Sequence, residues 1–272
     1  MLLRTTSTVP ITSSLAFSSR SCPSRLVVAM ASEKVPSNAP LSSLSNAPDW
    51  NEYHNRWERM WVETDSPAFD MHFANRAFVK ALEAGGAAQG KRGFVPGCGR
   101  GYDVIEMVKQ GATTAVGLEI SHTAVMAAEE YRDSPDSAID STVAAKAIFV
   151  QGDFFAGPSS SSSSSLSSTF DLGYDYTFFC AIHPNMRKAW GESWARWIHP
   201  GGTLYTLMFP CAQGPEAPPG EGPPFQVRPE DYHAALESAG FKLETLEDVP
   251  PHLSVEKRAG REKIARWTRQ SD

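Results

Sequence analysis

The chain has 272 residues, a formal net charge of −6 at neutral pH and a sequence pI near 5.7. That length supports one α/β domain with a sizeable core, and an acidic balance without a basic stripe argues against a surface for nucleic-acid phosphates or anionic lipid. No apolar run approaches the ~20 residues of a membrane span, and the four cysteines (Cys22, Cys98, Cys180, Cys211) form no C-x-x-C pair, which indicates neither a zinc site nor a disulfide framework.

Residues 1–32 carry Arg4, Arg20 and Arg25, many Ser and Thr, and no acid before Glu33, the composition of an organelle transit peptide. A chloroplast address is expected, with the mitochondrion or an unaddressed tail in the cytoplasm as alternatives, and Val27-Val28-Ala29-Met30-Ala31 suits processing. Residues 33–48 are rich in Pro, Ser and Asn and read as a linker to a domain over 49–272.

Asp49 offers an N-cap for a helix carrying Trp50, Tyr53, Trp57 and Trp61, whose spacings of three and four put the rings on one face. On spacing alone such a stripe is core. A second helix is expected from Phe69 or Met71 to Ala84, ended by Gly85-Gly86.

The stretch Arg92-Gly93-Phe94-Val95-Pro96-Gly97-Cys98-Gly99-Arg100-Gly101-Tyr102-Asp103 reads as the end of a buried strand, a tight turn with φ > 0, and a helix start. Glycines there let the backbone pass close to a ligand, and the helix N–H groups face it. A second strand, Ala115-Val116-Gly117-Leu118, ends at Glu119, where a carboxylate suits a ribose diol. The dinucleotide fingerprint G-x-G-x-x-G fails at Tyr102, which leaves G-x-G-x-G and favours S-adenosylmethionine (SAM) over NAD.

Ser121 caps the next expected helix, and Ala147-Ile148-Phe149-Val150 reads as a third strand leading to Asp153-Phe154-Phe155. An acid and an aromatic just past a strand end are placed for an adenine amino group and ring, although a loop Asp by itself is a turn former. The serine run over 159–168 reads as a surface insert. Phe170 to Ile182 reads as the fourth strand, emerging beside the cofactor. A helix from Asn185 to Trp197, a strand from Thr203 to Phe209, a Pro/Gly-dense loop from Pro210 to Pro224, a helix from Asp231 to Ala239 and a strand over Phe241–Leu246 follow. The alternation predicts a doubly wound, mostly parallel sheet with the ligand at the carboxyl ends of its strands.

With these blocks in place, the chain resembles the plant and algal thiol and halide methyltransferases, a branch of the thiopurine S-methyltransferase superfamily of class I SAM-dependent enzymes. The resemblance runs from about Trp57 to Trp267 and rests on Val95-Pro96-Gly97-Cys98-Gly99, Asp175-Tyr176-Thr177-Phe178-Phe179-Cys180-Ala181-Ile182, Thr206-Leu207-Met208 and Lys263-Ile264-Ala265-Arg266-Trp267. It implies a seven-stranded Rossmann-like sheet with an N-terminal helical lid, and no metal. It also implies that Trp57, Trp61 and Phe69 close over SAM, that Gly97 and Gly99 hold the methionine moiety, Glu119 the ribose, and Asp153 with Phe154 the adenine, and that Tyr176 lies near the transferred methyl. The chain departs from the family where Phe69 stands for a common tryptophan, Arg100 for glycine, Glu119 for aspartate, and His183 for glutamate.

The implied reaction is methyl transfer to iodide, bromide, chloride or thiols such as bisulfide. These nucleophiles arrive charged or easily ionised, so alignment within ~3–3.5 Å and desolvation suffice without a required base. Tyr176 and His183 are the nearest candidates for one. A larger aromatic thiol acceptor, or SAM binding without catalysis, are the competing readings. A monomer is the default.

Overall fold

The computed structural model describes residues 50–158, 164–166, 168–212 and 222–271. The transit-peptide, linker and Asp49-cap expectations fall outside the described residues, as do 159–163 and 167 of the serine run and 213–221 of the Pro/Gly loop.

Seven strands form one sheet in the order β3-β2-β1-β4-β5-β7-β6. Strands β1 (Arg92–Pro96), β2 (Thr114–Glu119), β3 (Ala147–Gln151), β4 (Phe170–Tyr176) and β5 (Ile198–Met208) are mutually parallel. Strand β7 (Lys263–Arg269) runs antiparallel between β5 and β6 (Phe241–Asp248). In β1 and β2 all residues but the first are buried, the signature of parallel strands covered on both faces.

The two faces collect separate clusters. Phe94, Val116 and Leu118 pack with Trp190, Trp194 and Trp197 of α6 (Arg187–Trp197) and with Tyr232 and Leu236 of α7 (Pro229–Glu237). Val95, Ala115 and Leu207 pack with α2 (Arg76–Glu83), α3 (Tyr102–Lys109) and α4 (His122–Asp133). Truncating one of the buried tryptophans would cost ~3–5 kcal/mol. A short α5 (Ser141–Ala144) leads into β3, and α1 (Trp50–Glu63) contacts α4.

Several boundaries differ from the sequence expectation, each for a local reason. Helix α2 starts only at Arg76 because Asn75 Oδ1 accepts the Ala77 and Phe78 amides at 2.9 and 3.3 Å. Upstream of it, Phe73, inside the expected helix, is exposed. Pro184–Met186 form a 3-10 turn capped by His183 before α6 begins, and β5 starts at Ile198, taking in His199-Pro200-Gly201-Gly202. Within the serine run, Ser164–Leu166 form a 3-10 turn and Leu166 is buried in the core. Among the described residues no helix is long and apolar enough to cross a membrane.

Because β6 runs parallel to β5, the segment from Val249 to Glu262 that joins it to β7 starts at the end of the sheet where β1, β2 and β4 finish. That connection brings Arg258 and Glu262 beside Tyr176.

Candidate active site

At the end of β1 the chain turns through three glycines with φ of 57°, 51° and 80° at Gly97, Gly99 and Gly101. A Cβ on Gly97 would lie 2.6 Å from the Phe178 ring, and the left-handed φ adds strain for any other residue. The Gly97 amide donates to Leu118 O at 2.7 Å, tying the turn to β2.

Glu119, the last residue of β2, is 6 % exposed. Its Oε2 accepts the Gly99 amide at 3.0 Å, and Oε1 accepts the amides of Ile120 and Ser121 at 2.8 and 3.2 Å. Burial pushes the carboxyl above its ordinary range, and these backbone donors oppose the shift. The acid therefore serves the local turn while facing the cavity.

Helix α1 covers this turn. Trp57 and Trp61 both meet Phe69 edge-to-face, at centroid separations of 5.9 and 5.7 Å, so Phe69 is the ring on which the two tryptophans converge. Tyr53, one turn earlier, donates its hydroxyl to Ala181 O at 3.4 Å. Arg100 donates to Asp70 Oδ2 at 2.8 Å and to Asp65 O, with its guanidinium over the Trp61 ring. The glycine turn thus holds its own cover.

At the end of β3, Asp153 caps a 3-10 turn by accepting the Phe155 amide at 2.8 Å. Phe154 is 4 % exposed and its ring packs on Phe94, Trp194 and Trp197, so most of it belongs to the core. Phe155 is less buried and also lines the cavity.

Tyr176 ends β4 and is followed by Thr177 at φ 60°, a left-handed conformation in a β-branched residue of the kind that collects at functional sites. The Tyr176 hydroxyl accepts from Arg258 Nη1 and donates to Glu262 Oε1 at 3.3 Å, while Ser254 Oγ donates to Glu262 Oε2. Arg258, 8 % exposed, lies over the rings of Tyr176 and Phe209. Burial pushes the phenol up, with the Arg258 charge pulling the other way, so Tyr176 stays protonated. Sequence reasoning missed Arg258 and Glu262, because Glu256-Lys257-Arg258-Ala259-Gly260-Arg261 looks like a solvated charge run.

These groups enclose a cavity of about 480 Å³. It takes in all nine residues expected at the site: Trp57, Trp61, Phe69, Gly97, Gly99, Glu119, Asp153, Phe154 and Tyr176. His183 is not among its lining residues; its Nδ1 accepts the Asn185 amide at 3.2 Å, and it is the start of a loop. Cys98 and Cys180 do line the cavity, but burial pushes both thiols up, Cys180 to about 12, which keeps them un-ionised. Among the described residues no group of three His, Cys, Asp or Glu could hold a metal. A glycine turn that side chains would block, a buried acid one strand over and an aromatic cover together fit an adenosyl sulfonium.

The thiopurine S-methyltransferase family matches residues 53–270. Thiocyanate methyltransferase 1 of Brassica oleracea is 36% identical over 212 residues, covering 78% of this chain and 83% of that protein. Probable thiol methyltransferase 2 of Arabidopsis thaliana is 34% identical over 216 residues, covering 79% and 85%. Two solved structures share the fold. They are magnesium protoporphyrin IX methyltransferase from Synechocystis with bound SAM (TM-score 0.53, 15% identity, 84% of this chain and 87% of that one) and the glycopeptide N-methyltransferase MtfA with SAM (TM-score 0.56, 12% identity, 75% and 90%). Read with the glycine turn, the acid of β2 and the seven-stranded order, these matches make the chain a member of the thiopurine S-methyltransferase family, a methyltransferase whose cofactor is SAM.

Proposed function

We propose that this methyltransferase moves the methyl group of SAM to a small, soft anion: bisulfide or another thiolate, thiocyanate, or a halide ion. The observation that carries the reading is Arg258. It is a buried guanidinium at the cavity wall, over Tyr176 and Phe209, with no carboxylate within 4 Å among the described residues. A buried cation that reaches the Glu262 carboxylate only through the Tyr176 hydroxyl, with no direct ion pair, favours an anionic guest, and the aromatic groups around it strip water from weakly hydrated anions at low cost.

In this reading Gly97 and Gly99 seat the methionine moiety, Glu119 takes the ribose hydroxyls, and Asp153 takes the adenine amino group. Phe155 contributes more ring surface than Phe154, whose ring is committed to the core. Trp57, Trp61 and Phe69 exclude water. Bound SAM supplies a methyl group on a sulfonium. With SAM held there, the nucleophile's lone pair would form the new bond to carbon while the C–S pair returned to sulfur, giving S-adenosylhomocysteine (SAH).

Opposite charges cancel in that step, so the protein's task is alignment and desolvation. Tyr176 stays neutral and Arg258 holds its hydroxyl in place, which makes the pair a fixed dipole and charge rather than a base. The relatives named for thiocyanate and thiol substrates support the same nucleophile class.

A sealed-vial assay tests the proposal: protein beginning near Ser32, SAM, and iodide, bisulfide or thiocyanate, with methyl iodide, methanethiol or methyl thiocyanate measured in the headspace. Product from at least one is expected. No product from any of them, with methylation of a bulky aromatic thiol, would replace it with a thiopurine-type acceptor. SAM binding without any turnover would make the chain a binder. Residues 1–32 support a chloroplast address, tested by their fusion to a fluorescent protein.

A further inference from the structure

Helix α1 is attached to the Rossmann-like body at a point away from the cavity. Glu58, between Trp57 and Trp61 in sequence, reaches the first turn of α4. Its Oε2 accepts from Ser121 Oγ at 2.7 Å and from the Thr123 amide at 3.2 Å, and its Oε1 accepts from Thr123 Oγ1 at 2.5 Å. Ser121 meanwhile caps α4 by accepting the Ala124 amide at 3.0 Å and gives its own amide to Glu119. One serine therefore touches both the acid beneath the ribose position and the helix that carries the cover.

We propose that Glu58 is a positioning residue: its carboxylate latches the aromatic lid helix α1 to the start of α4, and this latch sets how tightly the cavity holds its cofactor. Three donors converge on one carboxylate at the positive end of a twelve-residue helix, so the bond is charge-assisted and favours the ionised acid. Although partial burial opposes ionisation, the bonds from Thr123 and Ser121 prevail and hold the Glu58 carboxyl below its ordinary value. Trp57 and Trp61 flank Glu58 on the same two turns, so a loose Glu58 frees the rings that meet Phe69.

The route is short. Only Ile120 and Ser121 separate Glu119, the last residue of β2, from α4, so on the reading proposed above ribose binding at Glu119 and the latch at Ser121 act on the two ends of the same two-residue connection.

The test uses the full chain and reads two quantities that do not depend on the methyl acceptor. In Glu58→Ala, hydrogen exchange of the α1 amides should accelerate in the ligand-free protein, and SAH affinity by calorimetry should fall about tenfold. The KM for SAM should rise more than kcat falls, and Glu58→Gln should restore part of the affinity, since its carbonyl oxygen still accepts. Thr123→Val removes one donor from the other side and carries the same test if Glu58→Ala does not fold. Combined, the two should lose less than the sum of their separate effects. Unchanged α1 exchange and SAH affinity in both single variants, or strictly additive losses in the pair, would overturn the latch.

Discussion

Glu119 Oε2 and the Gly99 amide are joined at 3.0 Å, so the acid that ends β2 also closes the turn that follows β1. Replacing Glu119 with Ala removes the proposed ribose acceptor and leaves the Gly99 amide without its carboxylate. SAH affinity should fall by about two orders of magnitude, or ~2–3 kcal/mol. Calorimetry checks this, and a loss below threefold would mean that the ribose is held elsewhere.

Arg258 and Tyr176 line the cavity side by side, and the proposed function puts the methyl acceptor against them. Arg258→Ala should lower kcat/KM for bisulfide and iodide by roughly ten- to a hundredfold, the cost of losing a charge-assisted bond and a desolvated counter-charge. Tyr176→Phe leaves Arg258 in place but removes the hydroxyl between it and Glu262, and the ratio of iodide to bisulfide rates should change. An unchanged ratio would take Tyr176 out of substrate selection.

Arg100 ties the glycine turn to its cover through Asp70, whose side chain is only 2% exposed. Arg100→Ala takes the charged partner from that carboxylate, which keeps the His72 amide at 3.0 Å, and removes the cation over Trp61, so the KM for SAM should rise about three- to tenfold, with a stability loss of ~1–3 kcal/mol. Lysine at this position should recover less than half of the effect, because it cannot reach both Asp70 and Asp65 O as a planar fork. Steady-state kinetics with a melting curve separates the two losses.

The fully buried Asp175 gives the stability a pH dependence. Burial pushes its carboxyl up to about 7, against the bonds it accepts from the Phe179 amide at 3.1 Å and Trp190 Nε1 at 2.8 Å. An unfolded aspartate titrates near ~3.9. Between those values the folded state binds a proton that the unfolded chain does not, so stability falls as pH rises from ~4 through ~7 and levels off above. The decline attributable to this group is roughly 4 kcal/mol, and Asp175→Asn should remove that share while leaving the share of Asp103, whose carboxyl burial likewise pushes up to about 7. Urea unfolding at pH 5 and pH 7.5 reads the slope directly; an equal slope in the variant would assign it to other groups.

The cofactor half of the site was legible because it is local. A glycine turn between an apolar strand and a helix, then an acid at the end of the next strand, is set by backbone conformation and short-range order, and the G-x-G-x-G spacing separates SAM from NAD before any packing is known. Asp153 was legible for the same reason, since it too follows a strand end. The two phenylalanines after it were not. Both are apolar and both line the cavity, and only packing on Trp194 and Trp197 commits most of Phe154 to the core and leaves Phe155 less buried.

The acceptor half came from distance in sequence. Tyr176 and Arg258 are 82 positions apart, and nothing in a charged run before the last strand marks one arginine as buried. Its place follows from β7 inserting between β5 and β6, which swings the preceding connection over the carboxyl end of β4. The lid behaves likewise: helical spacing gave the aromatic stripe, while the choice between core and cover was made by Phe69, Arg100 and the α4 contact. The chain by itself therefore determined the strand-turn-helix units and the cofactor they cradle, because those depend on neighbours in sequence. Which cation is buried at the cavity wall, and what holds its cover shut, only the tertiary structure decided, because long-range sheet order brings those groups together.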